Sequence, residues 1–325
     1  MQHSLAPRPR PSRAAPSSRT SAGSLTRAVL TLAGEGTRML PWSRGLRKEF
    51  LPLYDRGVNG TSVLKPIAHL VLEALMGAGV SDVTLVVQPR DLSLVQEYFT
   101  VDPLFLQRHG RHPERLAETR DFYAKLRDLR IRYAVQPSPL GFGDAVLRAE
   151  PYVGREPFLL QASDGVVLER VRGAVHHAMG ERLVEEGLDA VLLVRRVPDP
   201  RRYGVVEGEL RGRFGSWRRL TVERMEEKPA HPRSHWAATA LYAFSPRLFD
   251  ALRAARKRSP PETELELTSG IRELIAEGGR VEALVLDPGA QWQSVGSPEG
   301  YLRTLRATHR SRSMPMSAPA RRRGP

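Results

Sequence analysis

Arg38 and Lys48 follow Gly34, Gly36 and Thr37 in the stretch from Ala28 to Pro52, AVLTLAGEGTRMLPWSRGLRKEFLP. An apolar run of strand length ending in Gly-x-Gly-Thr-Arg can deliver a phosphate-binding loop, because glycines let backbone N–H groups approach an anion closely. Arg38 adds a planar fork that matches phosphate oxygens, and Lys48 adds a compact mobile charge. Gly34 and Gly36 alone would fit an ordinary turn equally well. Lysine usage points to chemistry: the chain has five lysines (Lys48, Lys65, Lys125, Lys228 and Lys257) against 45 arginines. A lysine kept against that bias suits a crowded phosphate, where an ammonium fits a point that a guanidinium overfills.

Further candidates lie downstream. In QPSPLGFGDAV, residues 136–146, prolines and glycines form a rigid loop with Gln136 at the end of a strand and Gly141 ahead of a helix. A glutamine amide offers a donor and an acceptor side by side, which matches the imide edge of uracil or thymine; a purely structural turn is the alternative. Asp164 follows the apolar run FLLQA, where a carboxylate at the carboxyl end of a strand could hold Mg²⁺ on a triphosphate, or cap a helix. Tyr203 and Gly204 precede a Glu227-Lys228-Pro229 triplet. There the carboxylate could accept from sugar hydroxyls, the ammonium could hold a sugar phosphate, and proline would stiffen the backbone. Glu-Lys pairs are usually solvated, and only the scarcity of lysine lifts this one. His69 reads as a packed or surface histidine. His176 and His177 are adjacent and point to different faces, so they make poor joint metal ligands.

These residues need a scaffold, and from Ala28 onward strand-like runs alternate with helical patterns, the signature of a mostly parallel sheet with helices on its faces. The expected strands include 82–88, 131–135, 158–162, 190–197, 238–244 and 281–286. The expected helices include 65–76, 170–187, 246–256 and 264–277, with Asp91 as an N-cap, a helical insertion over 103–130, and 292–301 as the loop into a last helix. The 325 residues, 41% hydrophobic, can bury a core. No apolar run nears the roughly 18 residues of a membrane helix, which excludes membrane insertion. Zero cysteine removes disulfides and thiolate chemistry and is compatible with a cytoplasmic chain. Of the net charge of +14, four arginines lie in acid-free residues 1–26 and five in acid-free residues 307–325, leaving +5 between them. The tails are expected to be disordered, and a body so near balance gives little support for nucleic-acid binding.

Taken together, residues 27–306 resemble the sugar-1-phosphate nucleotidyltransferases, most of all the bacterial UTP-glucose-1-phosphate uridylyltransferases (UDP-glucose pyrophosphorylases). The likeness rests on GEGTRMLP followed by KEFLPL, with Gln136 and Gly141 matching the base-recognition loop. Asp164 matches the first metal ligand, Tyr203 and Gly204 a sugar-contacting turn, and Glu227 with Lys228 the Glu-Lys-Pro motif. The resemblance implies an α/β fold with a Rossmann-like, glycosyltransferase-A-like sheet, a nucleotide-binding part at 27–165 and a sugar-binding part at 166–306. It implies a Mg²⁺-dependent reaction of a nucleoside triphosphate with a hexose-1-phosphate, UMP being the group transferred, giving a UDP-sugar and pyrophosphate. Arg38 and Lys48 would then be the catalytic cations, with Gly34, Gly36 and Thr37 on the nucleotide. The expected assembly is a homo-oligomer.

Three positions depart from the family pattern. Ser294 stands where the family has its second metal carboxylate, and Asp287, seven residues earlier, could replace it only if the loop folds back. Ala240 stands where the family often has glycine beside the sugar, and Arg47 replaces the proline before the lysine. Ser294 keeps open a second reading, a catalytically impaired nucleotide-binding regulatory homologue. A dinucleotide-dependent oxidoreductase fails on spacing, since Met39 occupies the position of the third glycine.

Overall fold

The computed structural model describes residues 24–114, 116–286 and 289–313. In chain order the elements begin with β1 (Arg27–Thr31), β2 (Pro52–Arg56), β3 (Ser62–Pro66), α1 (Ile67–Gly77) and β4 (Asp82–Val87). Then come α2 (Leu92–Tyr98), α3 (Pro103–Arg108), α4 (Ala117–Arg127), β5 (Arg130–Val135), α5 (Phe142–Val153), β6 (Phe158–Ala162) and β7 (Gly165–Leu168). The second half holds α6 (Ala174–Glu185), β8 (Ala190–Arg196), β9 (Gly204–Phe214), β10 (Trp217–Glu227) and β11 (Trp236–Phe244). It closes with α7 (Arg247–Arg258), α8 (Leu267–Ala276), β12 (Val281–Val285), β13 (Gln291–Ser294) and α9 (Pro298–Ser313).

A nine-stranded sheet runs in the order β5-β4-β1-β6-β11-β8-β12-β10-β9. Parallel pairing joins β5, β4, β1 and β6, and also β8 and β12, while β10 and β11 run against their neighbours. Alternation along each strand explains the continuous apolar runs, since successive side chains enter opposite faces and both faces are covered. Leu30, Leu159 and Leu193 pack with α1 and α6 on one face. Val29, Leu160 and Leu192 pack with α5, α7 and α8 on the other. No helix among the described residues is long and apolar enough to cross a membrane.

The structure corrects several boundaries. Lys65 lies on β3, not in the helix, which starts at Ile67 behind Pro66, whose fixed φ suits a helix entry. Asp91 makes no side-chain cap; it forms an ion pair with Arg47 instead. Residues 292–294, expected as the start of a loop over 292–301, instead lie in β13 against β7, and the reason is Gly165: a Cβ there would lie 1.9 Å from the Trp292 ring. The ring therefore occupies the space that a side chain at 165 would need. The hairpin of β9 and β10 has no signature in the sequence, because its many exposed charged residues carry no long apolar run. At the ends, Leu25 is buried and Ser24 Oγ donates to the Ala78 carbonyl at 2.8 Å, so residues 24–26 belong to the body. Helix α9 continues through Ser313 with Thr304 and Thr308 buried, carrying seven residues read as basic tail into the fold. Residues 1–23 and 314–325, and Asp287, lie outside the described residues.

Ala240 adopts φ 56° at an irregularity in the β11–β8 register. An L-residue with a Cβ is strained there, whereas glycine is not. Ala240→Gly is expected to raise stability by about 1 kcal/mol, read from the urea midpoint at unchanged m. A lower midpoint would show that the strain is already relieved by packing.

Candidate active site

Gly34 follows β1 at the carboxyl end of the parallel strands, where open α/β sheets bind ligands. The loop is tied down twice: Arg47 Nη1 donates to the Gly34 carbonyl at 3.0 Å, and Ser43 Oγ to that of Gly36 at 2.8 Å. Gly36 has φ 66°, and a Cβ on it would press to 3.2 Å of Ser43. Thus Arg47, the departure from the family proline, links this loop to Asp91 beyond the neighbouring strand β4.

Lys48 opens a short 3₁₀ turn and is partly buried. Its Nζ donates to Asp164 Oδ2 at 2.8 Å and lies 3.8 Å from Glu49 Oε1. Burial acts to lower its pKa, but the carboxylates of Asp164 and Glu49 outweigh it, so the ammonium is held above its ordinary value. Burial likewise opposes ionisation of Asp164, yet Lys48 and Arg38 keep its pKa below the usual range. Glu49 is different: burial pushes its carboxyl up to about 7 against the pull of Lys48.

Asp164 is placed by its neighbour, since Ser163 Oγ donates to the Thr31 carbonyl at 2.6 Å and binds the end of β6 to β1. Ser294 pairs with Gly165 in the β7–β13 ladder, and Val295 N–H donates to the Asp164 carbonyl at 2.9 Å. Around Gly296, a Cβ would meet Arg38 at 3.0 Å, Asp164 Oδ2 at 3.2 Å and Ser294 Oγ at 3.4 Å. The serine hydroxyl accepts from Gly296 N–H at 3.2 Å. Among the described residues there is no group of three or more His, Cys, Asp or Glu able to hold a metal ion. Asp164 and Ser294 therefore supply one carboxylate and one hydroxyl, a set that suits Mg²⁺ only when substrate phosphates and waters complete its shell.

One cavity of about 420 Å³ unites Gly34, Gly36, Thr37, Arg38, Lys48, Gln136, Gly141, Asp164 and Lys228. Tyr203, Gly204 and Glu227 stand behind its lysine edge rather than on its wall. The Lys228 N–H donates to the Tyr203 carbonyl at 3.0 Å, and Gly204 faces Glu227 in the β9–β10 ladder. Lys228 has φ 42°, a strained conformation that turns its ammonium toward Glu227 at 3.1 Å and Glu266 at 3.8 Å. Thr268 Oγ1 donates to Glu227 Oε2 at 2.7 Å and fixes that carboxylate.

Glu49, Glu264 and Glu266, which line the cavity, and Thr268 are not among the residues expected from the sequence. The run ETELELT holds the last three, and its alternating glutamates before a helix were the available signal. His176 is buried, with Nε2 at 2.7 Å from Gln161 Oε1 and a pKa that burial pulls down to about 4, so it is a neutral packing group under the sheet.

A family model described as nucleotidyl transferase matches residues 27–311. A glucose-1-phosphate thymidylyltransferase of Neisseria gonorrhoeae is 27% identical over 273 residues, covering 84% of this chain and 79% of its own length. A UTP–glucose-1-phosphate uridylyltransferase of Streptococcus pneumoniae serotype 4 is 29% identical over 286 residues, covering 86% and 88%. Among solved structures, an apo UDP-glucose pyrophosphorylase shares the fold with TM-score 0.75 at 23% identity, over 89% of this chain and 99% of that one. A UTP-bound UGPase from Acinetobacter baumannii has TM-score 0.69 at 25% identity, over 87% and 93%.

Proposed function

Because the chain belongs to the nucleotidyl transferase family, we propose that it is a sugar-1-phosphate nucleotidyltransferase that joins UMP from UTP to glucose-1-phosphate or a related hexose-1-phosphate. The observation that carries this reading is the one cavity whose wall holds the glycine loop, Arg38, Lys48, Asp164 and Lys228 together. Three cations on one wall suit two anionic substrates that must meet.

A sugar-phosphate oxygen attacks the α-phosphorus of UTP in line. The new oxygen–phosphorus bond forms as the bond from the α-phosphorus to the β-bridging oxygen breaks, and pyrophosphate leaves with that electron pair. The attacking phosphate is already ionised, so no general base is required, and positioning with charge neutralisation supplies the catalysis. Arg38 holds the leaving phosphates, Lys48 turns from Asp164 to the α-phosphate, and Lys228 offsets repulsion from the sugar phosphate. Backbone N–H groups of the Gly34–Thr37 loop cradle the triphosphate, Gln136 and Gly141 receive the base, and Glu227 accepts from sugar hydroxyls. Bound through Asp164 and Ser294 together with substrate oxygens, Mg²⁺ would neutralise phosphate charge.

The test is kcat/KM for pyrophosphate release with glucose-1-phosphate and UTP, dTTP or ATP, for the protein and for Ser294→Asp. Turnover highest with UTP supports the reading, and preference for dTTP moves it to thymidylyl transfer. Activity confined to Ser294→Asp favours the impaired regulatory homologue that the missing carboxylate suggests.

A further inference from the structure

Gln136 donates twice through its one side-chain nitrogen. Nε2 lies 3.0 Å from the Gly141 carbonyl and 2.9 Å from Asp144 Oδ2. Both partners can only accept, and a primary amide nitrogen carries two protons, so both are used. The amide orientation that is usually ambiguous is thereby fixed, because turning it over would set the amide oxygen against a carboxylate and a carbonyl. The carbonyl end, Oε1, is left for the cavity that Gln136 lines.

Asp144 is itself held. It is 5% exposed, stands in the first turn of α5 where the helix dipole favours a carboxylate, and accepts from Arg148 Nη2 at 3.0 Å through Oδ1. Arg148 Nε also reaches Oδ2, at 3.5 Å, so the guanidinium holds both oxygens of the carboxylate while Oδ2 takes its shorter contact from Gln136.

We infer that Asp144 is a positioning residue for base selection: it locks the Gln136 amide with its acceptor oxygen toward the base, so that a pyrimidine with N3–H is taken and one with a bare N3 is refused. This rests on the proposed nucleotide reading. Uracil and thymine carry a proton at N3 and pair with Oε1, whereas cytosine, of the same ring size, sets a lone pair against it. Replacing the carboxylate by a group that can also donate leaves only the Gly141 carbonyl opposing a turned amide and weakens the refusal.

The experiment compares kcat/KM for UTP and CTP, with glucose-1-phosphate, in the protein, Asp144→Asn, Gln136→Met and the double variant. Asp144→Asn is expected to lower the UTP/CTP ratio about tenfold, through KM, with kcat for UTP within about threefold of the original. In the Gln136→Met background the same change is expected to leave the ratio unmoved, since the effect passes through the amide. Should Asp144→Asn not fold, Asp144→Ser, which also donates and accepts, reads the same ratio. A preference for UTP over CTP that persists unchanged in the Asp144 variant overturns this inference alone. No such preference in the unmodified protein overturns the nucleotide reading together with it.

Discussion

Lys48→Ala is expected to lower kcat for pyrophosphate release by about 10²–10³-fold or more, with the KM for UTP changed far less. The lysine ammonium sits partly buried at the junction of Asp164, Glu49 and the glycine loop, and its carboxylate neighbours keep it charged at any working pH. Removing it leaves Asp164 facing the phosphates without its ion-pair partner, an electrostatic cost that grows as charge moves in the transition state. Lys48→Arg is expected to fail nearly as badly. The Nζ atom sits 2.8 Å from Asp164 Oδ2 and 3.8 Å from Glu49 Oε1, contacts that suit a compact ammonium and that a longer planar guanidinium does not reproduce. Steady-state kinetics on both variants check this, and an arginine variant with full turnover would show that charge alone is needed.

The second large effect lies away from the cavity. Glu73→Leu is expected to cost about 3–5 kcal/mol of stability, read by urea unfolding. Glu73 is 5% exposed on α1 and accepts from Lys65 at 3.1 Å, from Lys125 at 2.7 Å and from Arg172. His69, stacked on Phe122, approaches it at 3.4 Å. Burial resists ionisation of Glu73, but His69, Arg172 and Lys125 together hold its carboxyl far below the ordinary range. Without it, Lys65 and Arg172 share Asp55, at 3.2 and 2.6 Å, with Glu118 at 3.6 Å from Lys65 as the one further carboxylate, and the buried Lys65 ammonium loses its 3.1 Å partner. This cluster joins β3, α1, α4 and the segment after β7, which begins beside Asp164. A loss below about 1 kcal/mol would mean that Asp55 and solvent already satisfy both cations.

Lysine scarcity marks Lys48 and Lys228, and both line the cavity. It marks Lys65 and Lys125 just as strongly, yet their common partner Glu73 is invisible to spacing because the ion pairs close only in three dimensions, Lys125 lying 52 residues from it. The parallel core is legible for a simple reason: strands buried on both faces are continuous apolar runs, and β4, β6 and β8 begin where those runs begin. Strand β13 is not legible, since its four residues hold their place through the Trp292 ring on Gly165, a contact between distant parts of the chain. Asp144 shows the same limit. Its spacing from Gln136 says nothing until Gly141, at φ 98°, turns the loop back and brings the two side chains together.

The most direct measurement follows pyrophosphate and UDP-sugar together when purified protein with Mg²⁺ is given UTP alone and then UTP with glucose-1-phosphate. Direct in-line transfer predicts no pyrophosphate from UTP alone, and equimolar pyrophosphate and UDP-glucose once both substrates are present. A stoichiometric burst of pyrophosphate from UTP alone would contradict direct transfer, and silence with both substrates while UTP still binds would contradict the transferase.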